Sequence, residues 1–164
     1  MSRTRYAGAV ETAREYYNSN DADTFYAEVW GGEDIHVGLY ASPDEPIAEA
    51  SRRSVERMAE LAAPLGPATR VLDLGAGYGG ALRYLAREFG CSCVALNLAE
   101  VENERNRQMT RAAGLEARIE VVAGDFTAMA FDDATFDRAW SQEAFLHAGD
   151  RAAVCAEAAR VLKP

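Results

Sequence analysis

Val71-Leu72-Asp73-Leu74-Gly75-Ala76-Gly77-Tyr78-Gly79-Gly80 is the stretch that decides the fold of this 164-residue chain. It reads as a short apolar strand with an acid near its end, then a glycine turn running into a helix. Only small residues let backbone N–H groups and a helix N-terminus come close to a ligand, and this order of residues allows it. Two nucleotide-type spacings fit the same letters: GxGxxG through Gly75, Gly77 and Gly80, and DxGxGxG through Asp73, Gly75, Gly77 and Gly79. A glycine-rich turn can also be structural alone, so the flanking segments have to decide.

Downstream, strands and helices alternate. The pattern predicts strands over Arg70–Leu74, Cys93–Leu96, Ile119–Ala123 and Phe136–Trp140. Helices run from the glycine turn to Phe89, over Glu100–Ala113, and from an Asp150 N-cap to about Leu162. Such alternation implies an α/β, Rossmann-like three-layer fold with a parallel sheet. Ligands in such sheets lie beyond the carboxyl ends of the strands. Asp73, Asn97 and Asp125 follow three successive strands, so they should share one rim with Phe126, whose ring could flank a flat base. Asn97 stands about 20 residues past the glycine turn, where an acid usually meets ribose hydroxyls. An amide can both accept from and donate to a diol, and Asn at a strand end is also a common turn residue. The fourth strand ends at Ser141, Gln142, Glu143 and, one helical turn on, His147.

Upstream, Thr4–Asn20 has helical periodicity. Between Tyr16 and Tyr40 aromatic residues crowd: Tyr16, Tyr17, Phe25, Tyr26, Trp30 and Tyr40, together with Gly31, Gly32 and His36. They read either as a helical cap packed on the core or as a lid, since aromatic faces attract ammonium and sulfonium cations. A further helix opens at Asp44-Glu45-Pro46, with Ile47, Ser51, Val55, Met58 and Ala62 as its inner stripe, and stops at Pro64, Gly66 and Pro67. The chain thus divides into a helical cap over residues 1–66 and a Rossmann-like half over 67–164.

Composition narrows the options. A net charge of −9 argues against a nucleic-acid partner, because phosphate binding needs clustered Lys and Arg. No apolar run approaches the roughly 20 residues of a membrane span, and no basic-then-apolar leader begins the chain, so a cytoplasmic setting is expected. Cys91, Cys93 and Cys155 read as small core residues, the first two on opposite faces of a strand, and not as a disulfide or metal set. No metal site is expected, and the oligomeric state stays open.

At residue level, Tyr16-Tyr17-Asn18-Ser19-Asn20-Asp21-Ala22-Asp23 and Trp30-Gly31-Gly32-Glu33-Asp34-Ile35-His36-Val37-Gly38 resemble the N-terminal segment of sarcosine/dimethylglycine N-methyltransferases. Ala95-Leu96-Asn97-Leu98, Glu102-Asn103-Glu104-Arg105-Asn106 and Trp140-Ser141-Gln142-Glu143-Ala144-Phe145-Leu146-His147 resemble the same family, and DxGxGxG is the pattern of class I methyltransferases. The resemblance spans nearly the whole chain. It implies S-adenosylmethionine as cofactor, S-adenosylhomocysteine as its product, and a small zwitterionic amine as substrate, methylated towards glycine betaine. Ile35 and His36 would border the cofactor, Gly75 its amino-acid end, Asn97 and Leu98 the ribose, and Asp125 and Phe126 the adenine. Asp73, Gly77, Gly79 and Ser141 complete the cofactor set, and Tyr26, Trp30, Gln142 and Glu143 a substrate set.

More distantly the chain is similar to phosphoethanolamine methyltransferases, in which a tyrosine and a histidine meet over the reacting amine. Tyr17 and His147 match them. A histidine at a helix start can also serve as a local hydrogen-bonding residue, and a proximity mechanism needs no base. The family domain has seven strands, whereas this sequence reaches Pro164 where the fifth would begin. An incomplete domain with an exposed fourth strand is therefore expected. Three alternatives remain beside the enzyme reading: a cofactor-binding module without turnover, a related enzyme with a phosphobase or natural-product acceptor, and an NAD oxidoreductase, for which Asn97 is an unusual ribose ligand.

Overall fold

In the computed structural model, which describes residues 8–19, 25, 30 and 33–164, four parallel strands lie in the order β3-β2-β1-β4. These are β1 (Arg70–Leu74), β2 (Ser92–Asn97), β3 (Ile119–Ala123) and β4 (Arg138–Trp140). Pairing of Leu74 with Leu96, Asn97 with Ala123 and Asp73 with Trp140 brings all four carboxyl ends to one rim. The helices are α1 (Gly8–Tyr17), α2 (Ile47–Ala62), α3 (Gly80–Phe89), α4 (Glu100–Ala112) and α5 (Arg151–Val161).

Both sheet faces are covered, as a parallel sheet requires. Val71, Cys93 and Ala95 point into one layer with Val55 and Ala59 of α2 and Leu82 and Leu85 of α3. Leu72, Leu74, Val94 and Leu96 point into the other, against Phe136 and Val154 and Val161 of α5. The period-2 alternation of two short strands thus makes both cores. Leu72 and Leu74 are fully buried, which contributes roughly 1.5–3 kcal/mol each.

The Rossmann-like fold expected from the sequence is present, with local differences. Helix α1 covers Gly8–Tyr17, while residues 4–7 and 20 of the expected helix lie outside the described residues. Pro46 sits at the N-cap of α2, whose buried residues are Ala50, Ser51, Ser54, Val55 and Ala59. The stripe is rotated from the expected one because α2 also packs against the segment at residues 34–38. A side chain on Gly38 would strike the backbone of Ala50 and Ser51.

Phe136 leaves the fourth strand: its N–H donates to the Val161 carbonyl at 3.0 Å, and its carbonyl accepts the Lys163 N–H at 2.9 Å. The chain after α5 therefore returns beside β4 in a parallel bridge of Phe136 with Leu162. Cys91 and Cys93 share one core layer, since residues two apart on a strand point the same way, and Cys155 is exposed. The Asp150 side chain caps α5 by accepting the Ala153 N–H at 3.0 Å, as expected.

The polar helix α4 has a polar inner face. Glu102, Asn103, Asn106 and Thr110 are its buried residues, and they hydrogen-bond to the glycine turn and to the end of β2. That explains how a helix with so little apolar surface packs.

Candidate active site

The loops leaving the four strand ends enclose a cavity of about 330 Å³, within the roughly 300–1,000 Å³ of small-molecule sites. Gly75, Gly77, Asn97, Leu98, Asp125, Phe126, Gln142, Glu143 and His147 line it from the sheet side. Tyr17, Trp30, Ile35 and His36 line it from the N-terminal side. Sequence-predicted residues spread from Tyr17 to His147 therefore meet in one place. Asp73, Gly79 and Ser141 stand behind the wall instead, and Tyr26 lies outside the described residues.

The glycine turn makes room chiefly for the protein itself. Gly75 has φ 85°, and a methyl there would overlap the Ala144 side chain. Gly79 has φ 75°, and a methyl there would overlap Asn106. The Gly75 and Ala76 N–H groups both donate to the Leu96 carbonyl, at 2.8 and 3.2 Å, so they hold the turn rather than face the cavity. Asp73 is buried under the turn, and burial pushes its pKa up to about 8. Ser141 Oγ donates to the Leu74 carbonyl at 2.8 Å, which ties the loop after β4 to the end of β1.

Asp34 closes the N-terminus of α3. Its carboxylate packs against Gly80, the first residue of that helix, where the helix dipole favours an anion. Asp34 also pairs with Arg52 at 2.8 Å, yet burial outweighs that pairing and raises its pKa to about 6. Beside it Glu33 pairs with the buried Arg83 at 3.0 Å, and Arg83 Nη1 donates to the Tyr78 carbonyl at 2.5 Å. This polar cluster binds the segment at residues 33–34 to the glycine turn.

From that anchor Ile35, His36 and Val37 run over the cavity as a roof. The Ser51 hydroxyl lies 2.7 Å from the His36 carbonyl and 2.9 Å from the Asp34 carbonyl, and Trp30 Nε1 donates to the His36 carbonyl at 3.0 Å. Burial, helped by the Arg52 charge, pushes the His36 imidazole down to about 4. On the far side Glu143 Oε1 accepts the Val37 N–H at 2.9 Å. Gln142 Nε2 donates to Ser54 Oγ at 2.8 Å, while its Oε1 is buried with no partner among the described residues.

Helix α1 closes the remaining side. Arg14 Nη2 and Asn18 Nδ2 donate to the two carboxylate oxygens of Glu100, at 2.5 and 2.8 Å. Asn18 Oδ1 accepts the Val101 N–H at 3.1 Å, so α1 caps the start of α4. That docking sets Tyr17 Oη 3.1 Å from His147 Nε2. His147 belongs to a 3₁₀ turn, Phe145–His147, rather than to an α-helix, and burial lowers its pKa below the usual 6.5. A neutral imidazole with a phenol on Nε2 can accept, through that phenol, a proton from an ammonium group held beside them.

Residues 72–164 match the family described as Methyltransferase domain. The chain belongs to that family. Over 159 residues this methyltransferase-family chain is 61% identical to a glycine/sarcosine/dimethylglycine N-methyltransferase of Actinopolyspora halophila, covering 97% of itself and 28% of that protein. Over 161 residues it is 59% identical to a sarcosine/dimethylglycine N-methyltransferase of Halorhodospira halochloris, covering 98% of itself and 58% of that protein. A crystal structure described as a putative sarcosine dimethylglycine methyltransferase from Galdieria sulphuraria superposes with a TM-score of 0.83 at 49% identity, covering 88% of this chain and 57% of that one. The chain thus spans little more than half, or less, of the length of these relatives.

Sequence reasoning missed several wall residues of this methyltransferase fold, among them Arg14, Glu102 and Ala144. Glu102 is buried and accepts from Asn97 Nδ2 at 2.9 Å, so one amide hydrogen of Asn97 is committed inside the protein. The signal was present: Glu102 and Asn106 lie one helical turn apart on α4, a helix with no apolar stripe to bury. Among the described residues no helix is long and apolar enough to cross a membrane.

Proposed function

We propose that this chain carries the S-adenosylmethionine-binding part of an N-methyltransferase that methylates sarcosine and dimethylglycine towards glycine betaine. The observation that carries the reading is the Tyr17–His147 pair, 3.1 Å apart on the wall of a cavity that also meets the glycine turn. Two relatives at 61% and 59% identity are named for these acceptors. We read residues 1–66 as the cap and 67–164 as the Rossmann-like half, in a cytoplasmic enzyme acting on a small zwitterionic amine.

The residues fit the cofactor. Asn97 and Glu102 offer oxygens to a diol at the end of β2, and Phe126 offers a flat face beside Asp125. Gln142 Oε1, which has no partner among the described residues, is an acceptor suited to an ammonium group. A dinucleotide would need its pyrophosphate at the N-terminus of α3, and Asp34 already stands there, which speaks against NAD. When bound, S-adenosylmethionine supplies a methyl group on a sulfonium, already joined to a good leaving group. Ile35 and His36 would cover it, Gly75 and Gly77 would border its amino-acid end, and Asp73, Gly79 and Ser141 would hold that wall from behind.

The protein's own task is alignment, water exclusion and delivery of a neutral amine. The Tyr17 hydroxyl would hold the amine nitrogen, and His147 Nε2, 3.1 Å away, would orient that hydroxyl. The ammonium proton would pass to the Tyr17 oxygen as the phenol proton passes to Nε2 of neutral His147, which leaves the nitrogen lone pair free to attack. Trp30 adds an aromatic wall suited to a cationic acceptor.

A product assay tests the reading. The chain is incubated with methyl-labelled S-adenosylmethionine and, separately, sarcosine, dimethylglycine and phosphoethanolamine, and the products are weighed by mass spectrometry. Labelled betaine from dimethylglycine is expected. Label on the phosphobase alone, or on no acceptor, would overturn the acceptor assignment.

A further inference from the structure

Glu143 has φ 57°, in the left-handed region that a glutamate rarely enters. Such strain persists only where the surroundings impose it, and it gathers at functional sites. Three contacts impose it here. Gln142 on one side is held by Ser54 of α2. Ala144 on the other is pressed into the space left by Gly75. Between them Glu143 lines the cavity, and its Oε1 accepts the Val37 N–H at 2.9 Å, joining positions 106 apart in sequence.

Val37 ends the roof formed with Ile35 and His36. The near edge of that roof is pinned to α2 by the Asp34–Arg52 pair and by the Ser51 hydroxyl. On the far edge, the hydrogen bond from Val37 to Glu143 joins the roof to the loop that carries His147. We propose that Glu143 is a positioning residue, a strained clasp that holds the Ile35–Val37 roof down over the bound cofactor. The inference rests on the cofactor reading given above. It differs from the sequence-based expectation for Glu143, which was direct contact with the acceptor.

The clasp needs a hydrogen-bond acceptor of this length and no negative charge. A glutamine keeps it, an alanine removes it, and a glycine removes it while also releasing the backbone strain. Wild type, Glu143→Gln, Glu143→Ala and Glu143→Gly are compared by calorimetric titration with S-adenosylhomocysteine, by melting temperature without ligand, and by KM for dimethylglycine. Glu143→Gln should stay within about twofold of wild type in affinity for S-adenosylhomocysteine. Glu143→Ala and Glu143→Gly should bind it roughly three- to tenfold more weakly, the span of one hydrogen bond. Glu143→Gly should nevertheless melt at or above the wild-type temperature, because the strain is gone.

Affinity and melting temperature falling together in both truncations would make Glu143 merely structural and overturn the proposal. Unchanged affinity in all three variants, with KM for dimethylglycine raised, would assign Glu143 to the acceptor and overturn it equally. Wild type that binds no S-adenosylhomocysteine would overturn the cofactor reading itself, and the clasp with it.

Discussion

The Tyr17 hydroxyl on α1 lies 3.1 Å from Nε2 of His147, with the two rings edge to face and their centroids 5.4 Å apart. This pair joins the helix that closes the cavity to the turn that follows β4. It depends on two separate anchors: Glu100 seats α1, and Ala144, lodged against Gly75, seats the turn.

Removing either partner should slow turnover with little effect on cofactor binding. Tyr17→Phe and His147→Asn are each expected to lower kcat/KM for dimethylglycine at least about tenfold, as for lost acid–base assistance. Affinity for S-adenosylhomocysteine should stay within a few-fold. Because burial lowers the His147 pKa, the neutral form persists below pH 6.5, so the acid limb of the wild-type profile should lie below that value. Steady-state kinetics across pH check both points.

The seat of α1 is electrostatic and exposed, so it should respond to salt. Arg14 holds the Glu100 carboxyl below its usual pKa, but Glu100 is largely solvated, and such pairs contribute about 0.2–1 kcal/mol. Glu100→Gln should therefore slow turnover by roughly two- to fivefold at low salt. The difference from wild type should shrink at high salt, where the pair is already screened.

Gly75→Ala tests whether the glycine turn and the histidine turn are one unit. The substitution forces a φ of 85° on a side chain and drives its methyl into Ala144. A loss of about 1–3 kcal/mol in stability is expected. Turnover should fall further than S-adenosylhomocysteine affinity, because His147 moves with Ala144. Denaturant melts and kinetics on the same preparation decide this.

His36 should make stability pH-dependent. Its folded pKa is about 4 against 6.5 unfolded, so between those values the unfolded chain binds the extra proton. Stability from this group is complete above pH 6.5 and is lost as pH falls through the window towards 4. The full swing is roughly 3 kcal/mol. His36→Gln should flatten the dependence of melting temperature on pH between 4 and 6.5, relative to wild type.

The strands and the glycine turn were legible in the sequence because period-2 apolar alternation and small residues have few other structural meanings. Asp73, Asn97 and Asp125 were placed on one rim for the same reason, that a parallel sheet brings successive strand ends together; Asn97 and Asp125 line the cavity, whereas Asp73 is buried behind its wall. The inner face of α4 was signalled only by the lack of an apolar stripe, which does not say what its polar residues touch. Glu102 and Asn106 are buried by contacts with Asn97 and the glycine turn, which no hydrophobic pattern announces. Asp34 at the start of α3 was likewise hidden, since its partners Gly80 and Arg52 come from two other helices. The expected fourth strand was two residues too long because Phe136 pairs with the chain after α5.

A calorimetric titration of this chain with S-adenosylhomocysteine tests most directly whether the cavity at the strand ends is a cofactor site. One-to-one binding that is weakened in Gly75→Ala and retained in His147→Asn is the expected result. A wild-type sample with native circular dichroism and a cooperative melt that binds no S-adenosylhomocysteine would contradict it.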